Sequence, residues 1–324
     1  MDRRTFLKIT GLWVGGSEAL AARSSTVWRI GALTTGTREA NAPYKEQFLL
    51  GLRNLGYLEG QNLALEVRYD EGHPERLPAL AKELVDSNVD VLVAFTTPAA
   101  LAAKRATASI PIVISGTSDP VGVGLIASVA HPGGNVTGQT DAAPDLTARR
   151  IQILQELVPG LRRLGALGYP SDPVWRSTWP EAQDAARQLR LDIDPILVGA
   201  LDQLPVAFAG LGKRVQALFV APQSGFWIHR KNVVALVARE RLPASYESKQ
   251  FVDEGGLVSY GPDYFALNRS IGRYVDKILK GTKPADLPVE MPTEFELAVN
   301  VKTARTLGLT IPPTVLARAH ALVQ

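Results

Sequence analysis

The chain has 324 residues, 46% of them hydrophobic and 21% charged, with a formal net charge of +3. That length suits two domains of about 150 residues, and no Lys/Arg cluster stands out, so nucleic acid is excluded as an expected partner. The absence of cysteine excludes disulfides, thiolate metal sites, cysteine nucleophiles and the lipidated cysteine that would anchor an exported protein to a membrane.

Residues 1–24 form the three-part pattern of an export signal. Arg3-Arg4-Thr5-Phe6-Leu7-Lys8 resembles the twin-arginine motif, a modest apolar run follows over 9–14, and Ala19-Leu20-Ala21 supplies a cleavage site. Gly15, Gly16 and Glu18 weaken the apolar core, which fits such a signal better than an anchor. The bland alternative is a basic N-terminal arm. No later apolar run reaches ~18 residues, so the expectation is a soluble chain exported to the periplasm.

From residue 27 the pattern alternates. Strands are expected over 27–34, 63–69 and 89–95, and helices over 44–55, 74–87 and 97–107. The stretch 110–138 opens as an apolar strand over 110–114. It breaks into the polar loop Ser115-Gly116-Thr117-Ser118-Asp119-Pro120, resumes as an amphipathic segment over 121–130, and closes on His131-Pro132-Gly133-Gly134-Asn135. The alternation pauses over 135–143. It restarts with helices over 146–157, 174–189, 204–211 and 232–239, and strands over 164–169, 193–198, 215–221, 243–246 and 257–260. Strands separated by helices of this length mean βαβ units and two parallel sheets. A helical stripe over 267–279 ends at Gly281; a strand over 295–301 and short helices over 304–307 and 313–320 follow. This tail is too short to bury its own core, so it must pack back on the two domains.

Polar loops at the carboxyl ends of parallel strands are where open α/β sheets bind ligands. Thr97-Pro98 reads as an N-cap and first helical residue, leaving a helix N-terminus that could seat a carboxylate; plain capping is the structural alternative. Thr117 and Ser118 offer hydroxyls, while Asp119 is better suited to cap the next helix. Thr34 and Thr35 end the first strand. Tyr169, Gln223, Ser224, Phe226, Tyr246 and Glu247 end strands or start helices in the second half, where aromatics could sandwich a ring; inter-lobe packing is the alternative for each. Gly122-Val123-Gly124-Leu125-Ile126-Ala127 fits G-x-G-x-x-A only formally, because it lies six residues beyond the strand, so its glycines are read as helix-packing positions and no cofactor is expected. The four histidines are far apart in sequence, so neither a metal site nor a catalytic group is expected.

Several blocks resemble the substrate-binding proteins of ABC transporters that share a type I periplasmic-binding-protein fold. They are Ser118-Asp119-Pro120-Val121-Gly122 with 131–138, Val258-Ser259-Tyr260-Gly261, the run 281–290, Phe295-Glu296-Leu297, 307–313, and Leu316-Ala317-Arg318-Ala319. The resemblance implies two α/β Rossmann-like lobes joined by three crossings, near 140–143, 260–262 and 292–294. Lobe one would be 27–141 plus 263–291, and lobe two 142–261 plus 294–324. It implies a monomer that closes about a small organic solute, an aromatic or branched acid or an amino acid, and delivers it to a membrane permease without catalysis. A periplasmic sensing module for a membrane signalling protein is the other reading. On this placement the candidate ligand-binding residues are Thr34, Thr35, Thr96, Thr97, Ala99, Thr117, Ser118, Thr140, Asp141, Tyr169, Ser171, Gln223, Ser224, Tyr246 and Tyr260. Few Lys or Arg lie in these loops, so an acid would be held mainly by N–H groups and hydroxyls.

Overall fold

The computed structural model describes residues 26–142 and 146–324; the leader pattern of 1–24 lies outside them. Lobe one starts with β1 (Trp28–Thr34), α1 (Arg38–Arg53), β2 (Leu63–Tyr69), α2 (Leu77–Asp86), β3 (Val91–Ala94), α3 (Thr97–Ala106), β4 (Ile112–Thr117) and β5 (Val136–Thr140). Its five strands are parallel in the order β2-β1-β3-β4-β5. The all-apolar β3 is buried throughout, as a central parallel strand covered on both faces must be.

The chain then crosses into α4 (Thr147–Leu157), β6 (Arg163–Gly168), α5 (Trp175–Gln188), β7 (Asp192–Leu197), α6 (Leu204–Phe208) and β8 (Ala217–Val220). Next come α7 (Ser224–Ile228), α8 (Arg230–Arg239), β9 (Ala244–Tyr246), α9 (Lys249–Asp253) and β10 (Val258–Gly261). It returns to lobe one as α10 (Tyr264–Ser270) and α11 (Gly272–Leu279), where Ile271, Tyr274, Val275 and Ile278 share a core with Phe48 and Leu52 of α1. A last passage brings β11 (Glu296–Asn300), α12 (Val301–Thr306), α13 (Pro313–Leu316) and β12 (Ala321–Val323) onto lobe two. The second sheet runs β12-β11-β10-β9-β8-β6-β7, with β10 and β11 antiparallel and its other pairs parallel.

Several elements differ from the sequence expectation, each for a local reason. Helix α1 begins at Arg38, ahead of Pro43, because Thr37 Oγ1 accepts from the Ala40 N–H and caps it there. Strand β4 runs on through the polar Ser115-Gly116-Thr117, with a register shift against β5 after Ile114 and Gly116 at φ +60°. Residues 121–130 form turns and not a helix, so Asp119 caps no helix; its Oδ1 accepts from the Gly122 N–H at 2.9 Å. Gly122 and Gly124 therefore serve a turn and not helix packing. A Cβ on Gly122 would lie 2.0 Å from Asp119 Oδ2, and Gly124 has φ +76°. The pause over 135–143 hides β5, whose Gly138 lies flush on β4: a Cβ there would meet Ile114 O at 2.2 Å. The 267–279 stripe is two helices meeting at Ile271. Helix α13 stops at Leu316, which frees 321–323 to add an edge strand.

Gly51 lets α1 lie against α10, because a Cβ would sit 1.9 Å from Arg269 O. Gly51→Ala must push the helices apart, and overpacking of this kind costs about 1–3 kcal/mol. The urea midpoint should fall accordingly; an unchanged midpoint would refute the close-packing argument.

Candidate functional site

A cavity lies between the lobes, enclosing about 870 Å3 of space free of protein atoms, its mouth included. Its lobe-one wall follows from two periodicities. Asn41, Tyr44, Lys45 and Phe48 are spaced i, i+3, i+4, i+7 along α1 and so share one face. Leu65, Val67 and Tyr69 alternate along β2, as Ala32 and Thr34 do along β1, placing one strand face opposite that helix face. Phe95 follows β3 and meets Phe48 edge-on with ring centroids 5.4 Å apart. Across the cleft, Trp227 of α7 meets Tyr44 edge-on at 5.3 Å, so aromatic rings join the two lobes over the cavity.

Three carboxylates also line the cavity. Asp141, at the first crossing, accepts from Ser118 Oγ at 2.9 Å and from the Tyr264 hydroxyl at 3.3 Å. Asp172, after β6, accepts from the Val174 N–H at 3.0 Å and from Ser224 Oγ at 3.2 Å. Glu247 follows β9 and is 7% exposed. Burial pushes the Asp172 carboxyl up to about 6. Burial pushes Glu247 to about 8, with Asp141 and Asp172 adding to the rise and Arg150 opposing it. Arg150 of α4 is fully buried and donates from Nε to Tyr260 O at 2.7 Å. Burial lowers its pKa against the pull of Glu247 and Asp141 among others. Lys45 is the cation on the cavity wall, against three carboxylates. Such a surface rewards an incoming cation, because partly ionised buried carboxylates are stabilised by opposite charge. Among the described residues no group of three or more His, Asp or Glu is placed to hold a metal ion.

The cavity gathers seven of the residues singled out in the sequence: Thr34, Thr96, Thr97, Ser118, Asp141, Ser224 and Glu247. The capping assignment moves by one residue. Thr96 is the N-cap of α3, accepting from the Ala99 N–H at 3.4 Å, because its backbone is extended while Thr97 is already helical. Thr97 Oγ1 instead accepts from the Ser118 N–H at 3.0 Å and fastens α3 to the end of β4.

The remaining candidates lie outside the cavity lining. Thr35 and Thr117 are buried near strand ends, Ala99 is in the lobe-one core, and Thr140 Oγ1 accepts from the Ala142 N–H. Gln223 spends its amide on both backbone polar groups of Tyr169, at 2.7 Å each, which pins the ends of β6 and β8 together. Tyr169 packs against the lobe-two core. Tyr246 is fully buried and stacks on Phe251 at 4.8 Å; Phe226 is core as well. Tyr260 packs against Phe295, and Ser171 lines a separate, open inter-lobe groove. Sequence reasoning passed over Asn41, Tyr44, Phe48, Phe95, Trp227, Tyr264 and Asn268. The sequence marks Ser171-Asp172-Pro173 as the mirror of Thr97-Pro98 at a helix start, with Ser171 the ligand candidate; the structure puts Asp172 on the cavity lining instead.

This two-lobed geometry has known counterparts. The model of the ABC transporter substrate binding protein family matches residues 40–323. The chain belongs to that family. A tyrosine-binding protein of Clostridioides difficile is 26% identical to this substrate-binding protein over 266 residues, covering 82% of this chain and 76% of that one. Two crystal structures superpose with TM-scores of 0.87 at 26% identity, each spanning 92% of this chain and 100% of the other. One is a conserved domain protein of Vibrio cholerae O1 biovar El Tor, the other an ABC domain of Streptococcus pneumoniae in complex with L-Trp. The family is one of substrate-binding proteins. Among the described residues no helix is long and apolar enough to cross a membrane.

Proposed function

We propose that this protein captures an aromatic L-amino acid for an ABC importer. The observation that carries the reading is one cavity lined by an aromatic wall on lobe one and by three buried carboxylates, Asp172 and Glu247 from lobe two and Asp141 at the first crossing. The ring would lie among Tyr44, Phe48, Tyr69, Phe95 and Trp227. The α-ammonium would meet Asp141, Asp172 and Glu247, and the α-carboxylate would lie toward the N-terminal end of α3, near Thr96 and Ser118. A plain aromatic or aliphatic acid fits less well, because it would bring a second negative charge to carboxylates that burial already disfavours. Two relatives, one tyrosine-binding and one in complex with L-Trp, support the same class.

The lobes are taken as 27–141 plus 263–291 and 142–261 plus 294–324, closing about the three crossings on the solute. The twin-arginine-like leader of 1–24 would export the chain to the periplasm, where it would act as a monomer and hand the solute to its permease. A ligand that binds only the folded state raises its melting temperature. L-tryptophan or L-tyrosine at millimolar concentration should therefore raise it by several degrees, and indole-3-propionate, which lacks the ammonium, should do so much less. An equal shift from both, or a shift from sugars alone, would overturn the reading.

A further inference from the structure

Asn268 is 6% exposed and lines the cavity from α10. Its Nδ2 donates to the Tyr264 carbonyl one helical turn back at 2.7 Å. A carbonyl only accepts, so this bond fixes which way the amide lies and leaves Oδ1 as the free end. That oxygen has no hydrogen-bond partner among the described residues. Two other polar side chains on this wall are committed, whereas the Tyr44 hydroxyl has no partner among the described residues. Thr34 Oγ1 lies within hydrogen-bond reach of Thr35 O and Asn41 Oδ1, and Asn41 Nδ2 donates to Thr35 O and Thr37 O at 2.9 Å each. The Tyr44 hydroxyl rotates to donate or accept and so imposes no polarity. Asn268 Oδ1 can only accept. A buried acceptor of this kind penalises any occupant that leaves it unpaired.

We infer that Asn268 Oδ1 selects for a hydrogen-bond donor on the ligand's ring, an indole N–H or a phenol O–H, and so disfavours rings without one. The inference rests on the aromatic-amino-acid reading above, which assigns the ammonium elsewhere. Asp141 is held by Tyr264 at the start of α10. Asn268 lies one turn, about 5.4 Å, farther along that helix. Helix α10 packs on α1, which carries Tyr44 and Phe48. The free acceptor thus belongs to the wall that α1 and α10 share, whereas Asp172 and Glu247 come from lobe two. A site built to hydrogen-bond a ligand rejects the analogue lacking the donor far more strongly than a site that merely fits a shape.

Calorimetric titration of the full chain with two matched pairs tests this: L-tryptophan against its benzothiophene isostere 3-(benzothiophen-3-yl)-L-alanine, and L-tyrosine against L-phenylalanine. The donor-bearing member should bind at least tenfold tighter in one pair, and the pair that shows it identifies the donor as N–H or O–H. Asn268→Leu should bring that ratio to within threefold by weakening the donor-bearing member more than the donor-free one. A wild-type ratio within threefold in both pairs overturns the inference, as does a ratio that survives Asn268→Leu. The wild-type comparison needs no variant, so it decides the matter even if Asn268→Leu fails to fold. Tight binding of all four compounds alike removes only this inference; binding of none removes the aromatic-amino-acid reading and this inference with it.

Discussion

Replacing Asp172 by asparagine together with Glu247 by glutamine should weaken binding of L-tryptophan or L-tyrosine on the order of 100-fold. Hydrogen bonds to charged groups are worth about 1.5–3 kcal/mol, and about 2.7 kcal/mol is a factor of 100. The substitutions keep the shape of both side chains. The amide oxygen introduced at position 172 can still accept from the Val174 N–H, and the amide introduced at position 247 mimics the protonated carboxyl that burial already favours at Glu247. Indole-3-propionate, with no ammonium, should bind the variant no worse than the wild type. Retention of full amino-acid affinity by the double variant would place the ammonium elsewhere.

The same carboxylates make binding depend on pH. Glu247 has an ordinary value of 4.5 and stands at about 8 in the fold. Between those values the folded chain holds a proton that the unfolded chain has released, so ligand-free stability falls as pH rises from about 4.5 to 8. An ammonium beside Glu247 favours its ionised form, so ligand entry expels the proton. Affinity should then rise with pH up to about 8 and level off, and titrations in buffers of different ionisation enthalpy should show proton release. Glu247→Gln should flatten both slopes.

The architecture was legible because it is written in local periodicity. Apolar runs of four to seven residues alternate with helical stripes, and this reveals βαβ units wherever both patterns are strong. It failed where a residue type speaks against its own element. Pro43 masks the first turns of α1, which Thr37 nonetheless caps. Polar Thr137, Gln139 and Thr140 mask β5, buried at the junction of the lobes. The site divides the same way. Strand-end hydroxyls such as Thr96, Thr97 and Ser118 follow from topology, since strand ends face the cleft. Tyr44 and Phe48 read as ordinary core positions of an amphipathic helix, because nothing local tells a face packed on a sheet from one held off it. Small Ala32 on β1 opposite that face leaves room, and this is a tertiary fact. Tyr246 is the opposite case: it ends a strand as a ligand residue would, but Gly256 leaves space for its ring within the core, where a Cβ would lie 2.6 Å from it.

Arg150→Met should destabilise the ligand-free protein by about 3–5 kcal/mol, the usual consequence of removing one member of a buried charge group. Arg150 sits three residues into α4, after the first crossing, and binds Tyr260 O just before the second. It also bears on Glu247 and Asp141, which line the cavity. A Cβ on Gly261 would approach Glu247 O to 1.9 Å, so the carboxylate-bearing loop lies directly against the second crossing. The methionine fills much of the arginine's volume, which leaves the charge and the bond to Tyr260 O as the differences, and of these only the charge gives a loss that varies with pH. Without the guanidinium, Glu247 keeps its proton to higher pH, so the loss should be smaller near pH 5 and grow toward pH 9, where ionisation is forced on an unbalanced site. Adding Glu247→Gln should recover part of the loss at high pH and little at low pH. Urea midpoints for the single and double variants at the two pH values measure this directly. A single-variant loss below about 1 kcal/mol at both would show that the arginine does not balance the cavity's charge. A loss that follows this pH course would tie both crossings to the ionisation of a cavity-lining carboxylate, and its neutralisation by a bound cation would then act on the segments about which we propose that the lobes close.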